Sequence, residues 1–82
     1  MTNTALLEEK IAKSGLKKSY IAKAIGLSGY GLALKIQNVH EFKASEIEKM
    51  CILLGIDNLE ERCAIFFASK VDLKSTKRKE KL

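Results

Sequence analysis

The chain has 82 residues, 46% hydrophobic and 30% charged, enough for one small domain and not two. Its net charge of +5 and pI near 9.3 favour an anionic partner, nucleic acid first and a membrane surface second. The composition contains no proline and is rich in Ala, Leu, Lys, Glu and Ile, which excludes a disordered chain and favours an all-helical domain.

Thr4 is placed to cap a first helix running to about Lys13, with Leu7 and Ile11 as its apolar stripe. Ser14-Gly15 ends it. A second helix is expected over about 18–25, where Ile21, Ala22 and Ile25 fall at helical spacing and Gly26 stops the run. Ser28 then caps a third helix of about 29–37. The stretch NVHEF reads as a loop. A fourth helix, about 44–54, carries Ile47, Met50, Cys51 and Leu54 at i, i+3, i+4 and i+7. Ser45 with Glu48 suits a capping box there, and Asn58 with Glu61 repeats the pattern before a fifth helix of about 59–68. In that helix CAIFFA is apolar almost all round. Two readings stand for it: one face closes the core and the rest is a partner surface, or the helix lies deep in a small core. Residues 1–70 are read as the folded domain and 71–82 as a flexible basic tail.

The charge is unevenly spread. Residues 17–43 hold five lysines against one glutamate, residues 44–72 three basic against six acidic residues, and residues 73–82 five basic residues against one glutamate. Cys51 and Cys63 sit on apolar helical faces and are read as reduced thiols. With His40 they supply too few ligands for zinc, so neither a metal nor a cofactor is expected. The sequence has no glycine-rich phosphate loop after a strand, and its adjacent Glu8-Glu9 and Glu60-Glu61 pairs point apart on a helix. Neither an enzyme nor a small-molecule substrate is expected. No apolar run approaches the ~20 residues of a membrane span, so no membrane partner is expected. The opening MTNTALLEEK lacks a basic segment followed by an apolar core, so it is not read as a signal peptide and the expected location is cytoplasmic.

Two short helices joined by a tight glycine-containing turn have the spacing of a helix-turn-helix. Ala22 lets the helices approach, Gly26 makes the turn, Leu27 plugs the gap beneath it, and Leu32 anchors the second helix. The run SGLKKSYIAKAIGLSGYGLALKI, followed by FKASEIEKMCILLGI, resembles the phage Cro/repressor-type helix-turn-helix family over most of residues 4–68. The ending EFKASEIEKMCILLGI…IFFA is similar to small regulators of temperate phages of Gram-positive bacteria. Some of these resemble Cro, and others resemble antirepressors that bind the phage's own repressor. The resemblance implies an all-α, five-helix domain of the lambda-repressor-like kind, with the third helix in the major groove and the second crossing the backbone. By the same resemblance, Ser28, Gly29, Tyr30, Ala33 and Leu34 face bases or a partner. Lys17 and Lys18 contact phosphate, and Lys35, Asn38, His40 and Lys43 continue that contact.

The sequence departs from the family at informative places. Lys18 stands where glutamine is common, and lysine meets phosphate as a point charge. Gly29 brings no side chain, and Ala33 and Leu34 bring only apolar surface, whereas direct readout works mainly through Arg, Lys, Asn and Gln. Two functions are therefore expected. The first is a regulator in a repressor/Cro-like switch that binds double-stranded operator DNA through phosphates, with some preference from Tyr30, Ser28, thymine methyl groups and DNA shape. The second is an antirepressor that binds the phage repressor protein through Tyr30, Leu32 and Leu34. A homodimer through the fifth helix would suit paired half-sites.

Overall fold

The computed structural model describes residues 1–68; the basic tail expected over 71–82 lies outside them. The described residues form five α-helices and no strand: α1 (Thr4–Ser14), α2 (Lys18–Ile25), α3 (Gly29–Ile36), α4 (Ala44–Leu54) and α5 (Leu59–Phe66). Their order and bounds follow the sequence expectation closely, because each helix is bracketed by a side-chain cap or a glycine stop.

Three local details differ. Asn3, not Thr4, caps α1, its side chain accepting from Leu6 N–H at 3.1 Å. Thr4 is one residue inside, and its hydroxyl turns toward α3 and donates to the Ile36 carbonyl at that helix's end, 2.6 Å away. At α4 the expected Ser45–Glu48 box is replaced by one two positions earlier. Lys43 is the N-cap residue, and the Glu46 carboxylate accepts its backbone N–H at 2.8 Å. At α5 half of the expected box is present: Asn58 Oδ1 accepts from Glu61 N–H at 2.6 Å.

One core joins all five helices. Leu7 and Ile11 of α1 meet Ile21, Ala22 and Ile25 of α2, Leu32 and Ile36 of α3, the α4 stripe of Ile47, Met50, Cys51 and Leu54, and Ile65 and Phe66 of α5. Phe42, just before α4, packs edge-on against Phe66 with ring centres 5.5 Å apart, a geometry that favours the aromatic pair beyond its area. In CAIFFA, Ile65 and Phe66 are buried while Cys63, Ala64 and Phe67 are exposed, so the helix is two-sided and its outer face is open. Both cysteines are free thiols, Cys51 buried and Cys63 exposed rather than on a core face. No helix among the described residues is long and apolar enough to cross a membrane.

The α2–α3 corner sets the position of α3. Gly26 adopts φ 86°, which an L side chain resists, and this lets Leu27 N–H fold back to the Ala22 carbonyl at 2.8 Å. Leu27 then packs on the core. Ser28 Oγ accepts from Gly31 N–H at 2.9 Å and starts α3. Ala22, 1% exposed, leaves room for α3 to lie close.

Candidate functional site

The outer face of α3 follows from helix geometry. Leu32 and Ile36 are buried, so the residues a third of a turn away on either side look outward. Two rows result. Gly29, Ala33 and Gln37 form one, spaced i, i+4 and i+8; Tyr30 and Leu34 form the other. Tyr30 is 76% exposed. Leu34 and Ala33 are half-buried, and Ser28 and Gly29 are exposed. Ser28 spends its oxygen on the cap.

The residues expected at phosphates divide into two groups. Lys17, His40 and Lys43 are exposed; Lys17 and Lys43 stand at the N-caps of α2 and α4. The other three are engaged inside the chain. Lys35 lies under α3 rather than on its outer face. Its Nζ is 2.6 Å from Glu46 Oε1, and the two side chains are only 12% and 8% exposed. This corrects the expected phosphate contact: position 35 is three residues on from buried Leu32, about 60° round the helix, so the side chain stays at the edge of the buried face, where Glu46 of α4 meets it. Burial alone pushes the Glu46 carboxyl up. Hydrogen bonds from Lys35 Nζ and Lys43 N–H, with the charges of both lysines, outweigh that and hold it below its ordinary value.

Asn38 is likewise committed. At φ 68° it is the one non-glycine residue with positive φ among those described. Its Oδ1 accepts from Thr2 N–H at 2.7 Å and its Nδ2 donates to the Thr2 carbonyl at 2.8 Å. The amide thus ties the loop after α3 to the buried chain start, where Asn3 N–H also donates to the Ile65 carbonyl at 2.7 Å. Lys18 remains at the surface, but its Nζ lies 2.8 and 2.9 Å from the two oxygens of Glu8 on α1. The pair is half exposed, so it offsets the Lys18 charge only in part where it borders α3.

Two contributors were not among the site residues expected from the sequence. Gln37 is exposed and lines the same hollow as Lys18, Gly29 and Ala33; its i+8 spacing from Gly29 is a signal that was present. Glu8 lines that hollow too, and its pairing with a residue ten positions away depends on how α1 crosses α2. Among the described residues no group of three or more His, Cys, Asp or Glu is placed to hold a metal ion.

The outer face of α3 is thus mainly apolar, the helix's one lysine, Lys35, being paired at the edge of the buried side. Residues 1–68 carry nine basic and eight acidic side chains, a net +1. Compared with protein-family models, curated proteins and solved structures, the chain matches none of them.

Proposed function

We propose that this protein is a small helix-turn-helix regulator of a phage-type repressor/Cro-like switch whose α3 face docks on the repressor protein. The scaffold half of the reading is supported by the α2–turn–α3 unit, two eight-residue helices joined through Gly26, Leu27 and Ser28. The partner half is carried by one observation. The polar groups expected to face DNA around α3 have partners within the chain: Lys35 in a buried pair with Glu46, Asn38 with Thr2, Ser28 in its cap, and Lys18 in a surface pair with Glu8. What stays outward is Tyr30, part of Leu34, Ala33, Gly29 and Gln37. An exposed tyrosine beside aliphatic surface is the composition of a protein contact, where aromatic anchors dominate the energy.

Operator binding is the second reading, and one observation favours it. Lys17, Lys23 and Lys43 are exposed and make no ion pair among the described residues. Three such contacts would give a salt slope of about −3, a weak hold on DNA without base readout.

The test is a pair of titrations of the purified protein. One arm uses repressor-type helix-turn-helix proteins encoded in the same genome, followed by calorimetry. The other uses the DNA upstream of its own gene, followed by anisotropy across a salt series. A stable complex with the repressor and weak, sequence-indifferent DNA binding is expected. Tight, sequence-selective DNA binding with no repressor complex would overturn the docking reading. Tyr30→Ala is expected to weaken the repressor complex by about tenfold or more.

A further inference from the structure

We propose that the opening segment, residues 1–4, is a two-sided strap that couples the end of α3 to the end of α5, so that loosening either helix end loosens the other. The coupling holds whichever partner α3 meets.

The helices end in two different ways. α1, α2 and α4 each stop on a glycine in the left-handed region, whose own N–H closes the last turn. α3 and α5 stop on Gln37 and Phe67, both at negative φ. The last turn of a helix leaves carbonyls without partners inside the helix, and at these two ends the opening segment supplies donors. At α3 the Thr4 hydroxyl donates to the Ile36 carbonyl at 2.6 Å. At α5 the Asn3 N–H donates to the Ile65 carbonyl at 2.7 Å, and the Met1 nitrogen donates to the Ala68 carbonyl just past the helix at 3.0 Å. Beyond α3 the chain turns through Asn38, whose amide makes its two bonds to Thr2.

The sides alternate along the strap: Met1 and Asn3 bond the α5 end, Thr2 and Thr4 the α3 end. Asn3 is extended, at φ −81° and ψ 96°, and in extended chain successive residues face opposite ways. One peptide group serves both helices. Its carbonyl, that of Thr2, accepts from Asn38 Nδ2 at 2.8 Å, and its N–H, that of Asn3, donates to Ile65. A peptide group is planar and rigid, so it cannot swing away from Ile65 without withdrawing from Asn38. Thr2 is 7% exposed, which leaves little water to replace the lost bonds. The closest-packed helix pairs are α2 with α3 and α4, and α1 with α4 and α5. α3 and α5 are not among them, so the strap is the direct link between their ends.

Cutting the strap on one side and watching the other tests it. Asn3→Pro removes the N–H that bonds Ile65, at a φ near the roughly −65° of proline. Asn3→Ala loses only the α1 cap and is its control. Asn38→Gly releases Thr2 from the α3 side. Native-state hydrogen exchange reads both ends. The Val39 amide, bonded to the Leu34 carbonyl, reports α3, and the Phe67 amide, bonded to the Cys63 carbonyl, reports α5. The Leu27 and Ile56 amides, bonded at the ends of α2 and α4, are references. Relative to these, Asn3→Pro is expected to speed Val39 exchange about fivefold over Asn3→Ala, and Asn38→Gly to speed Phe67 exchange about fivefold over the wild type. The double variant is expected to exchange about as fast as the faster single one, because a strap peeled from one side is already free of the other. If each variant speeds only its own helix end, or the two effects multiply in the double variant, the segment is two separate caps and the proposal fails. If the references speed up as much as Val39 and Phe67, the segment supports the whole fold rather than these two ends, and the proposal fails again.

Discussion

Helices α3 and α5 make an instructive pair. Each has eight residues, each buries two apolar side chains, and each has an exposed aromatic at hand, Tyr30 within α3 and Phe67 just past the end of α5. They are held in different ways. α5 relies on packing: Phe66 against Phe42, Ile65 in the core, and a surface pair between Glu61 and Lys10. α3 relies on polar anchors gathered at its C-terminal end. Lys35 reaches Glu46, the Ile36 carbonyl accepts from Thr4, and Asn38 clasps Thr2. A helix weakened by two glycines and given little to bury needs such anchors to stay in one orientation. The lesson is that the α3 polar groups seat the helix from its C-terminal end, while its outer face is mainly apolar.

The largest effects should come from the core, where the two helices behave alike. Phe66→Ala is expected to cost about 4 kcal/mol and Leu32→Ala about 3 kcal/mol in urea unfolding, from lost burial and the cavity left behind. Near-zero cost at Leu32 would mean that polar contacts alone seat α3.

Acidic partners should separate the helices more sharply. Glu46→Ala leaves Lys35 buried without its partner and is expected to cost about 3 kcal/mol. Glu61→Ala breaks a half-exposed pair in α5 and should cost under about 1 kcal/mol. Equal costs would erase the distinction drawn here. Changing Lys35 and Glu46 together to Met and Leu should recover most of the stability, since an apolar pair can replace a buried ion pair.

Asn38 allows backbone and side chain to be told apart. Asn38→Gly keeps the left-handed backbone and loses two hydrogen bonds, for about 1 kcal/mol. Asn38→Ala adds the strain of φ 68° and should cost roughly 1 kcal/mol more. In hydrogen exchange, both variants should expose the Thr2 amide. Unchanged Thr2 protection would show that the clasp does not hold the loop.

The smallest effect is in acid. The Glu46 carboxyl is held below the ordinary glutamate value of 4.5. Its contribution is therefore fully present above that value and lost as pH falls through the lower folded value. Stability measured from pH 6 downward should fall less steeply in Glu46→Gln than in the wild type. Parallel curves would show that the pair contributes nothing that titrates.

Local signals carried a great deal of this. Helix order and the α4 stripe were legible because caps, glycine stops and apolar spacing act within a few residues. Gly26, Leu27 and Ser28 marked the corner for the same reason. The open face of α5 was left between two readings, since an all-round apolar run does not say which side the core will take. The candidate site was half legible. Tyr30 and Gly29 were placed outward by the family resemblance, and the structure has both exposed. Lys35 and Asn38, read as contacts for phosphate, turned out to be anchors. Their partners Glu46 and Thr2 lie 11 and 36 positions away, and no local rule joins such residues.

By itself, then, the sequence determined the helices, their ends to within a residue or two and most of the apolar residues that bury, since these depend on neighbours within one or two turns. Only the tertiary structure decided which charges remain available at the surface. A lysine or asparagine is polar wherever it stands. Whether it meets a carboxylate, a backbone amide or open water depends on how distant helices cross. Here those crossings turn three of the expected contact residues inward or onto a partner and leave α3 with a mainly apolar outer face.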